Sequence, residues 1–176
     1  RYIVFNRFVN VCLSHLWVKD LQQNKEYQVT REPGIYGAAA WSPDGNQLAF
    51  TTESACDEYK PIKSCRSISA ISFLLAKTEP QESRELIACG APNYYDINWI
   101  NNNSLAFIEY RASQSNVNLL TLDTGVVNKL YNDKSNAITS LDYSNRNKQL
   151  AIIVRDNMQK SSVVFYNVET QTTKQI

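Results

Sequence analysis

Histidine, glycine and proline are scarce in this sequence of 176 residues, and each shortage excludes a class of function. There is one histidine, His15, and there are five residues each of glycine and proline. One histidine cannot supply a His-based metal site and leaves at most one imidazole general base. The sequence contains no Gly-x-Gly-x-x-Gly loop and no Gly-x-Ser-x-Gly nucleophile segment. We therefore interpret His15 as structural and expect no catalytic residue, no metal site, no cofactor and no enzymatic activity.

The chain also lacks an excess of charge and a long apolar run. Its formal net charge is +1, so no concentrated basic surface indicates nucleic acid binding. No stretch approaches about 18 consecutive apolar residues, so we expect no membrane span in this segment, and no signal peptide is visible. The chain begins at Arg1 rather than Met, and we interpret it as a segment of a longer or processed protein.

What the sequence does contain is an internal repeat. An aromatic residue, a polar turn and a Leu-Ala-(Phe/Ile) strand recur three times, from Trp41 to Phe50, from Trp99 to Phe107 and from Tyr143 to Ile152. Pro43 and Gly45 favour a tight turn in the first copy, and Asn residues fill the equivalent turns, where we expect left-handed backbone. A further strand with its own hairpin turn follows each copy, the clearest turn being Asp-Thr-Gly at 123–125.

Each repeat has the size of one propeller blade. Four short antiparallel strands over about 45 residues are typical of such a blade, and no segment has the 3.6-residue apolar period of a helix. We predict an all-β fold, a single β-propeller segment covering 1–176 with about four blades of four antiparallel strands. The blades span approximately 1–30, 35–88, 93–131 and 136–176, the first lacks its inner strand, and one carries an insertion at 52–63.

The four cysteines indicate an oxidising compartment. Cys56 and Cys65 bracket the insertion with eight residues between them, which predicts a short disulfide loop in an exported protein. A zinc site is the alternative, but its usual C-x₂₋₄-C spacing is absent. Four cysteines allow three pairings; we favour Cys56–Cys65, which leaves Cys12 and Cys89 to form a second bridge, and buried free thiols are the alternative.

The segments that enter each blade predict a binding surface. Tyr36 and Tyr94 lie at equivalent repeat positions, five residues before Trp41 and Trp99. Aromatic, carboxylate and amide side chains at loop tips are common in binding surfaces. In the alternative interpretation, the tyrosines pack between blades with their hydroxyl groups towards solvent. The candidate binding residues are Tyr36, Tyr94, Tyr95, Asp96 and Asn136.

The repeat resembles the TolB-type β-propeller family, whose hallmark Trp-Ser-Pro-Asp-Gly is matched in full from Trp41 to Gly45. The segment from Leu16 to Leu21 and the Asn-rich turns look most like the C-terminal periplasmic domain of a CadC/ToxR-like membrane-bound transcriptional regulator. That resemblance implies a non-enzymatic periplasmic sensor, anchored in the inner membrane, that binds a protein or small-molecule signal. The alternatives are a TolB-type protein-interaction scaffold and the gating propeller of a prolyl-oligopeptidase-like peptidase.

Assembly is the last expectation from the sequence. An incomplete arc of blades would leave two apolar blade faces uncovered, which is unusual for a soluble monomer. We therefore expect self-association, most simply as a two-fold dimer. A closed four-bladed ring is the alternative.

Overall fold

The described residues form fifteen strands and one helical turn. The computed structural model describes residues 1–53, 66–90, 93–111 and 114–176. The first half holds β1 (Tyr2–Phe8), β2 (Ser14–Asp20), β3 (Lys25–Gln28), β4 (Ile35–Trp41), β5 (Gln47–Glu53), β6 (Arg66–Ser72), α1 (Phe73–Ala76) and β7 (Arg84–Ile87). The second half holds β8 (Asn93–Asn101), β9 (Ser104–Arg111), β10 (Gln114–Thr121), β11 (Val126–Asn132), β12 (Ala137–Ser144), β13 (Gln149–Arg155), β14 (Ser161–Asn167) and β15 (Thr173–Gln175).

These strands form four antiparallel sheets, each made of strands consecutive in the chain. One sheet has three strands in the order β1-β2-β3, and the others have four, in the orders β4-β5-β6-β7, β8-β9-β10-β11 and β12-β13-β14-β15. Each sheet is therefore an up-and-down blade, as expected of a propeller. The prediction of an all-β, propeller-like fold is confirmed.

The first compact unit, Arg1–Gly90, contains the first two sheets. β2 shows strict alternation of buried and half-buried residues, as expected for a strand with one face on the core. Leu16 and Val18 from β2 share an apolar cluster with Leu48 and Phe50 from β5. The Leu and Phe of the first Leu-Ala-Phe copy therefore pack towards the preceding sheet.

The second compact unit, Ala91–Ile176, contains the last two sheets. Leu150 and Ile152 from β13 share its apolar cluster with Ala106 and Ile108 from β9. In β9 every residue from Ser104 to Ile108 is buried, and since successive side chains point to opposite faces, both faces of this strand are buried. The third repeat copy thus turns its large residues towards the preceding sheet, as the first copy does.

The helical turn α1 follows β6 directly, in a sequence where the absence of a 3.6-residue apolar period predicts no helix. Ser72 is still extended, and Phe73 begins one turn of helix. Phe73 is fully buried and lies edge-on to Trp41, Tyr2 and Tyr27, with ring centroids 4.9, 5.0 and 6.2 Å away. A continued strand would also place Phe73 on the face of Ile71, which belongs to the same apolar cluster, so the helical turn keeps Phe73 in the core while the chain leaves the sheet.

The turns follow the sequence in part. Gly45 and Gly125 have positive φ values of 72° and 67°, as their hairpin positions require. The expectation of left-handed Asn residues in the other two turns is wrong: no residue of 101–103 in the second copy has a positive φ, and in the third copy the left-handed residue is Lys148, with φ 54°. The four residues between β12 and β13 place the left-handed position last, directly before Gln149.

Candidate functional site

The candidate site lies next to β-bulges, and the inner strands β4, β8 and β12 all contain such an irregularity. Each has a register shift against its neighbour, and in β8 the shift leaves Asp96 between the pairs Tyr95–Ile108 and Ile97–Phe107. Asp96 has a φ of 36°, a conformation that Asp adopts more readily than most residues. In β12 the extra residue is Thr139. A bulge changes the direction of the side chain that it contains. The side chains of Asp96 and Thr139 therefore do not follow the regular alternation of their strands.

A cavity of about 340 Å³ lies beside these two bulges, within the second unit. Its walls come from three strands, and they comprise Tyr95, Asp96, Ile108, Tyr110, Ile138 and Thr139. Ile108 and Ile138 are buried. The Tyr95 and Tyr110 rings pack edge to face, with centroids 5.9 Å apart. Of the six described residues in this wall, Asp96 is the only charged one.

Hydrogen bonds hold the Asp96 carboxylate in place. Asp96 Oδ2 accepts a hydrogen bond of 2.6 Å from Ser140 Oγ and one of 3.2 Å from the Leu141 backbone N–H. Nearby, Asn98 Nδ2 donates to the Leu141 carbonyl oxygen at 3.1 Å. The carboxylate therefore joins β8 to β12 and has a fixed position at the edge of the cavity.

Tyr36 and Tyr94, which occupy equivalent positions of the repeat, make equivalent contacts: each ring packs against a phenylalanine. Tyr36 lies edge-on to Phe50, with ring centroids 5.4 Å apart, and Tyr94 lies edge-on to Phe107 at 5.6 Å. The Tyr36 hydroxyl donates a hydrogen bond of 2.7 Å to the Glu32 carbonyl oxygen. Burial raises the pKa of both tyrosines. Tyr94 is 8% exposed, so its ring offers little surface to a ligand.

The five candidate binding residues thus fall in different places. Tyr95 and Asp96 share the cavity described above. Asn136 lines a separate polar cavity of about 250 Å³ in the same unit, where its Nδ2 donates to Asp133 Oδ2 at 3.0 Å. Tyr36 lines a cavity of about 290 Å³ in the first unit.

Sequence reasoning missed four residues of the cavity, Ile108, Tyr110, Ile138 and Thr139. The sequence pattern could have indicated two of them, Ile108 and Tyr110. Tyr110 follows Ile108 by two positions in β9, so alternation places both on one face of the strand. Tyr95 pairs with Ile108 across the sheet, and this register brings Tyr110 to Tyr95. The Ile138 and Thr139 contribution depends on how β12 packs on β8, which the repeat does not specify.

The structure describes two of the four cysteines and so tests their pairing only in part. Cys12 lies between β1 and β2, Cys89 follows β7, and both are disulfide-bonded. Cys56 and Cys65 lie outside the described residues, so the predicted bridge between them stays a prediction.

Metal ligands and membrane-spanning helices can be assessed only in the part of the chain that the structure describes. There, no group of three or more His, Cys, Asp or Glu side chains is arranged to hold a metal ion. The imidazole of His15 lies within β2, with Nδ1 3.1 Å from the Thr30 carbonyl oxygen. None of the described helices has the length and apolar character needed to cross a bilayer.

No protein-family model matches the chain, and no curated protein matches it. Solved structures do. TolB from Acinetobacter baumannii is 17% identical, with a TM-score of 0.73, over 99% of this chain and 40% of that one. A puromycin-hydrolyzing peptidase of Mycobacterium tuberculosis is 16% identical, with a TM-score of 0.65, over 99% and 30%.

Oligogalacturonate lyase from Vibrio parahaemolyticus is also similar, with 16% identity and a TM-score of 0.64 over 98% of this chain and 49% of that one. This chain spans less than half the length of each of the three proteins. At such identities the likeness concerns the fold alone. The chain has the fold of a TolB-like β-propeller.

Proposed function

We propose that this chain is a non-enzymatic binding segment of a β-propeller, which recognises a partner protein through the cavity at Tyr95 and Asp96. The observation that carries the proposal is the fixed carboxylate beside two tyrosine rings and two buried isoleucines. Pockets with mostly apolar and aromatic walls and one placed polar group are typical binding sites. Aromatic residues are also enriched where proteins bind each other.

The host that we propose is a CadC/ToxR-like regulator, in which this segment is the periplasmic sensor. The support is the sequence resemblance of the segment from Leu16 to Leu21 and of the Asn-rich turns, together with four cysteines that suit an oxidising compartment. Such a protein would carry a DNA-binding domain and one membrane helix upstream of this segment.

Two alternative hosts follow from the similar structures. The likeness to TolB favours a periplasmic scaffold, and the likeness to a puromycin-hydrolyzing peptidase favours a propeller that gates a catalytic domain. The intact gene distinguishes the three. A winged helix and a membrane helix upstream support the regulator, a signal peptide alone supports the scaffold, and a Gly-x-Ser-x-Gly segment downstream supports the peptidase.

Site-specific photo-crosslinking tests the binding proposal. A benzoylphenylalanine at position 139, an exposed residue of the cavity wall, reports proteins that dock there in envelope extracts. The matched control carries the same group at Val127, which is 45% exposed on β11. We expect a discrete crosslinked partner from position 139 and none of that mass from position 127. The same products from both positions, or no product from either, would contradict the proposal.

A further inference from the structure

The walls of the cavity in the second unit have an unusual chemical balance. They combine one carboxylate, two tyrosine rings and two buried isoleucines, and none of the described wall residues is cationic. A ligand of complementary chemistry has one positive charge and an apolar stem. Long basic side chains have this form, because their methylene stems pack on apolar surface while their charged heads seek polar partners.

The rings and the carboxylate line the same cavity. A cation within about 6 Å of a tyrosine ring centroid is attracted by the negative face of the ring, and Tyr95 and Tyr110, which pack edge to face, both contribute surface to the cavity wall. The carboxylate adds a charge-assisted hydrogen bond, which is stronger than a neutral one. A neutral ligand of the same shape would gain neither contribution.

The Asp96 carboxylate is held in place and can still accept hydrogen bonds from such a ligand. An ionised carboxylate can accept about four hydrogen bonds. The two from Ser140 and Leu141 go to Oδ2 and fix the group, and they leave acceptor capacity for an ammonium or guanidinium head. Because the carboxylate is already held, binding costs little side-chain entropy there.

From these contacts we infer that the cavity accepts a single basic side chain, lysine or arginine, of the partner protein. This inference rests on the proposed function and adds to it the chemistry of the partner residue. The volume of about 340 Å³ is at the small end of ligand pockets, which begin near about 300 Å³. It suits one side chain and not a folded surface.

Blocked tripeptides test the inference on the 176-residue chain. The probes are acetyl-Gly-Lys-Gly-amide, acetyl-Gly-Arg-Gly-amide and the norleucine peptide, which keeps the stem and lacks the charge. The readout is the NMR shift of the Ile108 and Ile138 methyl groups, which line the cavity. We expect saturable shifts with both basic peptides and at least about fivefold weaker binding of norleucine, since an exposed cation–π or ion-pair contact is worth about this factor. The ratio of lysine to arginine affinity identifies the preferred head group.

Variants separate charge recognition from structure. D96N keeps an amide oxygen that can accept from Ser140 and Leu141, but it removes the charge, so the basic peptides should bind only as weakly as norleucine. D142N makes the same charge change at an exposed residue of β12 outside the cavity and should leave the affinity unchanged. If D96N fails to fold, Y110L removes one ring and should weaken both basic peptides at least about threefold.

Equal binding of norleucine and the basic peptides, or unchanged affinity in D96N, would overturn the inference. So would an absence of methyl shifts with every peptide. In that last case a persistent crosslink from position 139 would preserve the binding proposal and reject only the basic side chain. Peptide binding without any crosslink would have the opposite meaning, a cation site without a protein partner.

Discussion

Gly37 in the inner strand β4 should be intolerant of even one additional methyl group. It lies in the bulge between Tyr36 and Ala39, where an alanine Cβ would come within 2.5 Å of Thr51 Oγ1. A carbon–oxygen contact needs about 3.3 Å, so the overlap is about 0.8 Å. Thr51 is 1% exposed, which leaves its hydroxyl little room to rotate away. Overpacking of this kind typically costs about 1–3 kcal/mol, and we expect that loss in G37A.

The cause can be isolated by removing the hydroxyl. In T51A the nearest remaining atom of the threonine side chain, its Cβ, lies 3.8 Å from the added methyl group, an ordinary contact. An alanine also restricts the unfolded chain more than glycine does, which favours it by about 0.5–1 kcal/mol. The substitution of Gly37 should therefore destabilise the natural chain and be neutral or stabilising in the T51A background.

Urea unfolding of the four proteins, followed by tryptophan fluorescence, measures this cycle. The favourable coupling free energy should exceed about 1 kcal/mol, within the range seen for residues in direct contact. T51S is the matched control, because it keeps the hydroxyl and should keep the penalty of G37A. Free energies that add to within about 0.5 kcal/mol would refute the steric explanation.

Three further predictions concern other parts of the chain. F73A should lower the free energy of unfolding by about 3–5 kcal/mol because it empties the aromatic cluster, whereas F73L should cost much less; thermal unfolding that treats both variants alike would contradict this. The hydrogen bond from Arg1 lowers the pKa of Asp20, so stability should be complete above about pH 4 and decline in more acidic solution. Urea midpoints should fall less between pH 5 and pH 3 in D20N than in the natural chain. G125A should cost about 1 kcal/mol through its left-handed backbone alone, because no atom lies within 4 Å of the added methyl group, and G125N should cost less in the same denaturant assay.

The fold was predictable from the sequence because its information is local and repeated. An aromatic residue, a turn and a Leu-Ala-Phe strand define one hairpin, and three copies of it predict blades. The equivalence of Tyr36 and Tyr94 also followed from the repeat, down to the phenylalanine that each contacts. The helical turn that begins at Phe73 escaped prediction, because four residues are too few to show a 3.6-residue apolar period.

The candidate site was predictable only in part, since it depends on exceptions to the repeat. Tyr95 and Asp96 stood out by residue type. The bulge at Asp96 and its hydrogen bond to Ser140, 44 residues away, leave no trace in the local pattern. Tyr94 and Tyr95 are neighbours of the same type, yet strand alternation puts one in the core and the other in the cavity wall.

The Leu-Ala-(Phe/Ile) strands make the two faces of the sheets that contain them different. Leu48 and Phe50 pack on the preceding sheet, and Leu150 and Ile152 do the same, while Ala106 and Ile108 meet the sheet that follows. Within each compact unit, the contact between the two sheets is therefore heterologous, because the two faces that meet carry different residues. In a two-fold dimer residue i of one copy contacts residue j of the other, and j contacts i. Copies that met through these two kinds of face could therefore do so in the predicted two-fold dimer, with each face against its complement and the same contact formed twice.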